Sequence, residues 1–280
     1  IPLSGRNQKF SETLMVRPHI LLLNKVDLIN KEDIPLFERV LKLENPNLQA
    51  VLHSCCKNDL DSTIKTELLP CITNIMKTSN RYHRNETQDY NVLVIGIPNV
   101  GKSSLINSLR NVHLKKGIAA SVGAKPGITR TVMEKIKVSN SPKIYIYDTP
   151  GIMSPSVTDM DVAMKLALCA TIPDKQFDIV NMADYLLFTL NLQEMFGYVS
   201  LYDINEPADD IYILLTLLCK KFNLVMKIND QGEYVYRPNY ERASQIFIKD
   251  FRDCKLGKVN LDMNLLRDKQ HRLSDSLHNS

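Results

Sequence analysis

The segment Gly96–Ser103 constrains the fold of this chain more than any other feature. It has the sequence G-I-P-N-V-G-K-S, and it lies between an apolar run at Asn91–Ile95 and a predicted helix at Ser103–Leu109. Glycines let the backbone approach an anion closely, and the N–H groups of the loop and of the helix N-terminus then point toward it. A glycine loop can arise by chance, but the flanking strand and helix favour a phosphate-binding loop.

Particular side chains of this loop have predicted roles. Lys102 is positioned to reach the β and γ phosphates of a nucleoside triphosphate, and the Ser103 hydroxyl is a ligand for Mg²⁺. The predicted nucleotide contacts from this segment are Asn99, Val100, Gly101, Lys102, Ser103 and Ser104.

A second motif, D-T-P-G at Asp148–Gly151, follows a predicted strand at Lys143–Tyr147. Alone it could be an ordinary turn, because Asp, Pro and Gly favour turns. Downstream of a phosphate loop, Asp148 is predicted to hold Mg²⁺ through water, and the Gly151 N–H to sense the γ-phosphate. Thr129 is a candidate ligand for Mg²⁺ and a candidate contact for the γ-phosphate. The alternative is that it is an ordinary loop threonine. The predicted catalytic set is therefore Lys102, Thr129, Asp148 and Gly151.

A third motif, N-K-V-D at Asn24–Asp27, follows the apolar run Pro18–Leu23. The Asp27 carboxylate can accept hydrogens from the N1–H and N2 amine of guanine, whereas adenine cannot supply this pair and leaves a charge unpaired. Asn24 is predicted to brace the loop and the base, and the Lys25 stem to cover the ring. The predicted nucleotide contacts from this motif are Asn24, Lys25, Val26 and Asp27. Ser54, after the next predicted strand, occupies the place of a second base-contacting loop, although that match is loose.

The distribution of predicted elements indicates two domains. The first half of the 280 residues alternates strand and helix, and the second half is mainly helical. We therefore predict an α/β domain over residues 1–155 and a smaller, mainly helical domain over 156–280. The net charge of +4 is compatible with an RNA partner without indicating one. The longest apolar run, Ile211–Cys219, is too short to cross a bilayer.

The motifs occur in an unusual order, because the guanine-contacting motif precedes the phosphate loop. Such an order is possible in a permuted chain if the usual termini lie close together. With the motifs above, this order resembles the circularly permuted ribosome-assembly GTPases of the YlqF/RbgA type, and most of all their mitochondrial, ribosome-associated branch in eukaryotes. Further matching segments are Ile1–Asn7, Pro126–Arg130, Ala167–Thr171, Met182–Asn191 and Phe196–Val199.

The resemblance implies a circularly permuted P-loop GTPase domain followed by an RNA-contacting helical domain. It implies that GTP hydrolysis assists maturation of the mitochondrial large ribosomal subunit, with that subunit and its rRNA as partners. It further implies GTP or GDP with Mg²⁺ as ligands, and a place in the mitochondrial matrix or at the periphery of the inner membrane. Asn99 matches an asparagine that helps to hold K⁺ in potassium-dependent relatives, and a plain loop asparagine is an equal alternative.

The chain departs from the family pattern in two ways. The family carries further sequence before Ile1, including a strand and a histidine, so we expect a longer natural protein whose transit peptide is absent here. In the family's sheet that strand lies between the strands ending at Ile95 and Leu23, so its loss would leave a gap. Ile152 also stands where many GTPases have a water-orienting glutamine.

Alternatives remain open at this point. A non-hydrolysing GTP-binding scaffold would explain the departures, while an ATP-using enzyme is disfavoured by Asn24–Asp27. Three tyrosines, Tyr234, Tyr236 and Tyr240, could stack on RNA bases, and packing within a small domain is the alternative.

Overall fold

The structure, a computed structural model, describes residues 17–45, 48–56, 62–78, 89–115, 134–148, 157, 159–230, 233–263 and 265–266. The chain divides into two compact units. The first comprises Ile1–Thr158 with Asp262–Ser280, and the second comprises Asp159–Leu261. The predicted division into residues 1–155 and 156–280 stays a prediction, since the first unit also takes in the end of the chain.

Two parallel strands open the first unit, β1 (His19–Asn24) and β2 (Leu48–Ser54). Their register pairs Asn24 with Ser54, so the two polar residues that end these strands lie side by side. Helix α1 (Ile34–Glu44) connects them, after short 3₁₀ turns at Val26–Leu28 and Lys31–Asp33. The apolar run of β1 thus delivers the N-K-V-D motif to one end of this sheet.

A second sheet in the same unit has the order β3-β5-β4. Strand β3 (Asp89–Val94) pairs in parallel with β5 (Lys143–Asp148), which pairs antiparallel with β4 (Glu134–Asn140). The register places Val94 opposite Asp148, so the segment before the phosphate loop and the start of the D-T-P-G motif reach the same edge. Among the described strands, β1 and β3 are not hydrogen-bonded neighbours.

The core of this unit forms where two helices cover the strands. They are α2 (Leu68–Thr78), which continues a π-helical turn at Thr63–Glu67, and α3 (Lys102–Leu114). Strands β4 and β5 direct alternate residues inward, as expected for a half-buried sheet. Its buried apolar side chains are Cys56, Ile64, Leu68, Ile72, Ile106, Leu109, Ile136, Val138, Ile144 and Ile146. Because α3 supplies two of them, the helix that follows the phosphate loop is anchored by packing.

The second unit is a helical cluster with one β-hairpin. Its helices are α4 (Met160–Leu168), α5 (Ile179–Leu192), α6 (Gly197–Tyr202), α7 (Ile211–Phe222) and α8 (Tyr240–Arg252), with a 3₁₀ turn at Asp174–Gln176. Strands β6 (Val225–Asp230) and β7 (Glu233–Pro238) pair antiparallel. Aspartates cap α4, α5 and α7 by accepting hydrogen bonds from backbone N–H groups of the first turn. No helix in the described ranges is long and apolar enough to span a membrane.

Polar contacts fix the ends of these helices. The Arg252 guanidinium donates from Nε to the Leu168 carbonyl at 2.9 Å and from Nη2 to the Ala167 carbonyl at 2.8 Å. It also forms a bidentate pair with Asp174 at 2.9 and 2.6 Å. The planar, five-donor geometry of arginine suits such a site, which ties the C-terminal ends of α4 and α8 together.

Candidate functional site

The phosphate loop turns sharply before α3. Asn99 and Gly101 have φ values of 60° and 101°, and the left-handed Gly101 is the N-cap residue of the helix. The Lys102 ammonium lies over the loop, donating to the Gly96 and Ile97 carbonyls at 2.7 and 3.0 Å. Burial lowers the pKa of Lys102, and the nearby Asp148 carboxylate opposes that shift. The loop therefore places a half-buried cation at the N-terminus of a helix, where an anion is favoured.

A pair of oxygen donors lies beside this loop. Asp148, at the end of β5, is only 5% exposed, and its Oδ2 accepts a hydrogen bond from Ser103 Oγ at 3.4 Å. Ser103 and Ser104 lie in the first turn of α3. A hydroxyl and a carboxylate oxygen at one point are the donors that a hard divalent cation prefers, so this pair fits Mg²⁺. When bound there, the ion would neutralise phosphate charge.

The N-K-V-D motif meets the phosphate loop directly, although more than seventy residues separate them. Asn24 Nδ2 donates to the Val100 carbonyl at 2.9 Å, and Lys25 Nζ donates to the Asn99 carbonyl at 2.8 Å. Lys25 has φ 62°, which turns the chain into the 3₁₀ turn Val26–Leu28. That turn leaves Asp27 exposed, so its carboxylate is accessible to a ligand.

Asn24 also joins the loop that follows β2. Its Oδ1 accepts from the Cys56 backbone N–H at 3.1 Å and from Ser54 Oγ at 3.4 Å. Ser54 therefore supports Asn24 in this structure, and a direct base contact by Ser54 stays a prediction. The Cys56 N–H and the close approach of Gly101 to Asn24 were not predicted, since neither a backbone donor nor a contact between distant segments leaves a sequence signal.

Comparison with known proteins identifies the family. Residues 91–217 match the family model described as "50S ribosome-binding GTPase". The "Mitochondrial ribosome-associated GTPase 1" of Ictalurus punctatus is 44% identical, covering 94% of this chain and 82% of that protein. The chain belongs to the ribosome-associated GTPase family. Another member, "Ribosome biogenesis GTPase A" of Bacillus pumilus, is 31% identical over 94% of this chain and 86% of its own.

The GTPase fold is supported by a solved structure. "GNP-bound YlqF from T. maritima" superposes with a TM-score of 0.51 at 20% identity, covering 86% of this chain and 80% of that one. This likeness, with β1 and its N-K-V-D motif ahead of β3 and the phosphate loop, confirms the predicted circularly permuted P-loop GTPase fold.

Some predicted site residues of this GTPase cannot be placed. Thr129 and Gly151 lie outside the described residues, as does Ile152. The described members converge on one edge, where the ends of β1, β2 and β5 meet the N-terminus of α3. These members are Asn24, Lys25, Val26, Asp27, Ser54, Asn99, Val100, Gly101, Lys102, Ser103, Ser104 and Asp148. For Asn99 the structure gives a backbone contact with Lys25, and the K⁺ role of its side chain stays a prediction.

Proposed function

We propose that this protein binds and hydrolyses GTP in order to assist assembly of the mitochondrial large ribosomal subunit. The observation that carries the proposal is the contact of Asn24 and Lys25 with the carbonyls of Val100 and Asn99. A base held by one loop and phosphates held by the other would belong to a single nucleotide.

Each residue then has a role. Asp27 accepts hydrogen bonds from guanine, and Lys102 neutralises the β and γ phosphates. Ser103 and Asp148 hold Mg²⁺, with Thr129 and the Gly151 N–H directed at the γ-phosphate. Asn99 is the place for a K⁺ ion that would supply further positive charge.

The cellular setting rests on relatives. The relatives whose names say that they are mitochondrial include the Bos taurus protein, which is 42% identical over 95% of this chain and 80% of that protein. We propose the mitochondrial matrix, extending to the periphery of the inner membrane, as the site of action. The large subunit and its rRNA are the proposed partners, with RNA contact by the helical second domain.

Guanine recognition is tested by the Asp27→Asn substitution. Xanthine carries a carbonyl where guanine carries its N2 amine, so an asparagine amide can donate to it. Loss of the charged acceptor should weaken GTP binding by at least about 100-fold, or about 2.7 kcal/mol. The new amide should allow the variant to bind xanthosine triphosphate. Fluorescent-analogue titrations measure both, with Glu32→Gln, an exposed carboxylate on the neighbouring turn, as the matched control. Unchanged GTP selectivity in Asp27→Asn would remove Asp27 from its role.

Hydrolysis needs a separate experiment, because Ile152 cannot orient water as a glutamine does. Single-turnover GTP hydrolysis should be measured with and without mitochondrial large subunits. Turnover that rises on adding subunits, and that Lys102→Ala abolishes, supports the enzyme. Tight GTP binding with no turnover in either condition would favour the non-hydrolysing scaffold instead.

A further inference from the structure

The hairpin of the second unit presents two different faces. Directly paired residues of an antiparallel ladder share a face, as do residues two apart along a strand. The register pairs Lys227 with Tyr236 and Asn229 with Tyr234, which places these four side chains on one face. Met226, Ile228 and Val235 occupy the other. We call the first the tyrosine face; its members are Val225, Lys227, Asn229, Tyr234, Tyr236 and Pro238.

The tyrosine face is open to solvent. Tyr234 and Tyr236 are 63% and 67% exposed, whereas Met226 and Ile228 on the opposite face are half-buried. Tyr240 differs, because its ring packs edge-on against Tyr212 at 5.6 Å and its hydroxyl lies 3.2 Å from that of Thr216. Packing within the domain therefore accounts for Tyr240 but not for the two tyrosines of β7.

The charge on the tyrosine face is positive. Lys227 Nζ lies 3.7 Å from the centre of the Tyr234 ring, a cation–π arrangement that fixes the ring beside an ammonium group. Glu233 falls on the opposite face by register. Among the described side chains of the tyrosine face there is no carboxylate, so the charge on that face itself favours an anionic partner.

The spacing of the rings favours a nucleic acid over a protein partner. Alternate residues of a strand lie about 7 Å apart, so Tyr234 and Tyr236 offer two successive rings along one line. Unpaired bases stack on aromatic rings regardless of sequence, while lysines contact the adjoining phosphates. Lysine is depleted in protein interfaces relative to the rest of the surface, whereas on this face the Lys227 ammonium lies against the Tyr234 ring.

We propose that the tyrosine face binds an unpaired segment of RNA, with Tyr234 and Tyr236 stacking on successive bases and Lys227 contacting a phosphate. This inference deepens the proposed function, since it rests on an RNA-containing partner and names the surface that meets it.

The test uses the full chain and a fluorescein-labelled, unstructured RNA of ten uridines in an anisotropy titration. Each base–aromatic stack contributes enough that Tyr234→Ala or Tyr236→Ala should weaken binding at least about 5-fold. Tyr236→Phe should keep the affinity within about 2-fold, because stacking needs the ring and not the hydroxyl. Val235→Ala, on the opposite face, is the matched control. Lys227→Gln should reduce the slope of log affinity against log salt by about 0.7, as expected for one phosphate contact.

Two results would overturn the inference. One is RNA affinity that is equal in the parent and both alanine variants. If those variants keep their RNA affinity but no longer bind large subunits, the tyrosine face contacts a protein instead. The other comes from 4-thiouridine crosslinking of the unmodified chain, if crosslinks map only outside residues 225–238. Guanine-nucleotide titration of the same variants keeps this result separate from the proposed GTPase function, whose failure would appear in Lys102→Ala and Asp27→Asn.

Discussion

Replacing Gly101 by alanine tests the junction between the two loops. Gly101 has φ 101°, a conformation that costs an L-residue about 1–2 kcal/mol. A Cβ at this position would overlap Asn24 Nδ2, so the Asn24 amide must move. Its hydrogen bond to the Val100 carbonyl would then be lost, at about 1 kcal/mol.

The two terms together predict a destabilisation of about 2–3 kcal/mol. For a domain of this size that lowers the midpoint of thermal unfolding by about 4–12 °C. The assay is calorimetry of the nucleotide-free protein, with the transition of the first unit identified as the one that GDP shifts upward. Affinity for GDP should fall in parallel.

A double-mutant cycle with Asn24→Ala isolates the contact. Asn24→Ala removes the clashing amide, so Gly101→Ala should then cost only its backbone term, and the coupling energy should be about 1 kcal/mol. If the two substitutions are additive within about 0.5 kcal/mol, the approach of Asn24 is not the reason that position 101 requires glycine.

Three further predictions concern other parts of the molecule. Because burial lowers the pKa of Lys102, the neutral amine forms at lower pH than in an exposed lysine, so GDP affinity should fall more steeply on raising the pH above neutral in the parent than in a Lys102→Arg variant, since ionisation of the guanine N1–H affects both proteins alike. Arg252→Lys keeps the charge but loses most of four hydrogen bonds, and urea unfolding should show a loss of about 2 kcal/mol. Asp178→Ala removes the cap of α5 and should cost about 1 kcal/mol, whereas the exposed, non-capping Asp184→Ala should change the same unfolding curve little.

Local patterns predicted the elements that flank the motifs. The apolar run Ile211–Cys219 lies within α7, whose first turn Asp210 caps and which left-handed Asn223 ends. The phosphate loop was predicted equally well, since its glycines, lysine and serine have individual chemical roles between a strand and a helix.

Features that depend on distant segments were not predicted. Helix α6 is six residues long and begins at Gly197, a poor helix former, so its pattern is too short to stand out. Its glycine is explained by packing, because a Cβ there would lie 2.5 Å from the Leu256 carbonyl oxygen. The hydrogen bonds of Asn24 likewise depend on segments that are distant in the sequence. A sequence can show that Asn24 precedes a base-contacting loop, but not that its amide reaches Val100.

The order of the strands was expected only from the family resemblance. The predicted gap between the strands ending at Leu23 and Ile95 stays a prediction; within the described residues, β1 and β3 share no ladder. Nothing in the residues of either strand alone indicates which neighbour it takes.

Because β1-β2 and β3-β5-β4 form separate sheets among the described strands, a bound nucleotide would also stabilise the first unit. In the described part of the first unit no strand ladder joins the two sheets, and Asn24 and Lys25 bridge their edges instead. A guanine nucleotide with its base on one sheet and its phosphates on the other would act as a cross-link between them. At a concentration 100 times its dissociation constant such a ligand stabilises the folded state by about 2.7 kcal/mol. The resistance of this unit to unfolding and proteolysis would therefore follow the supply of guanine nucleotide.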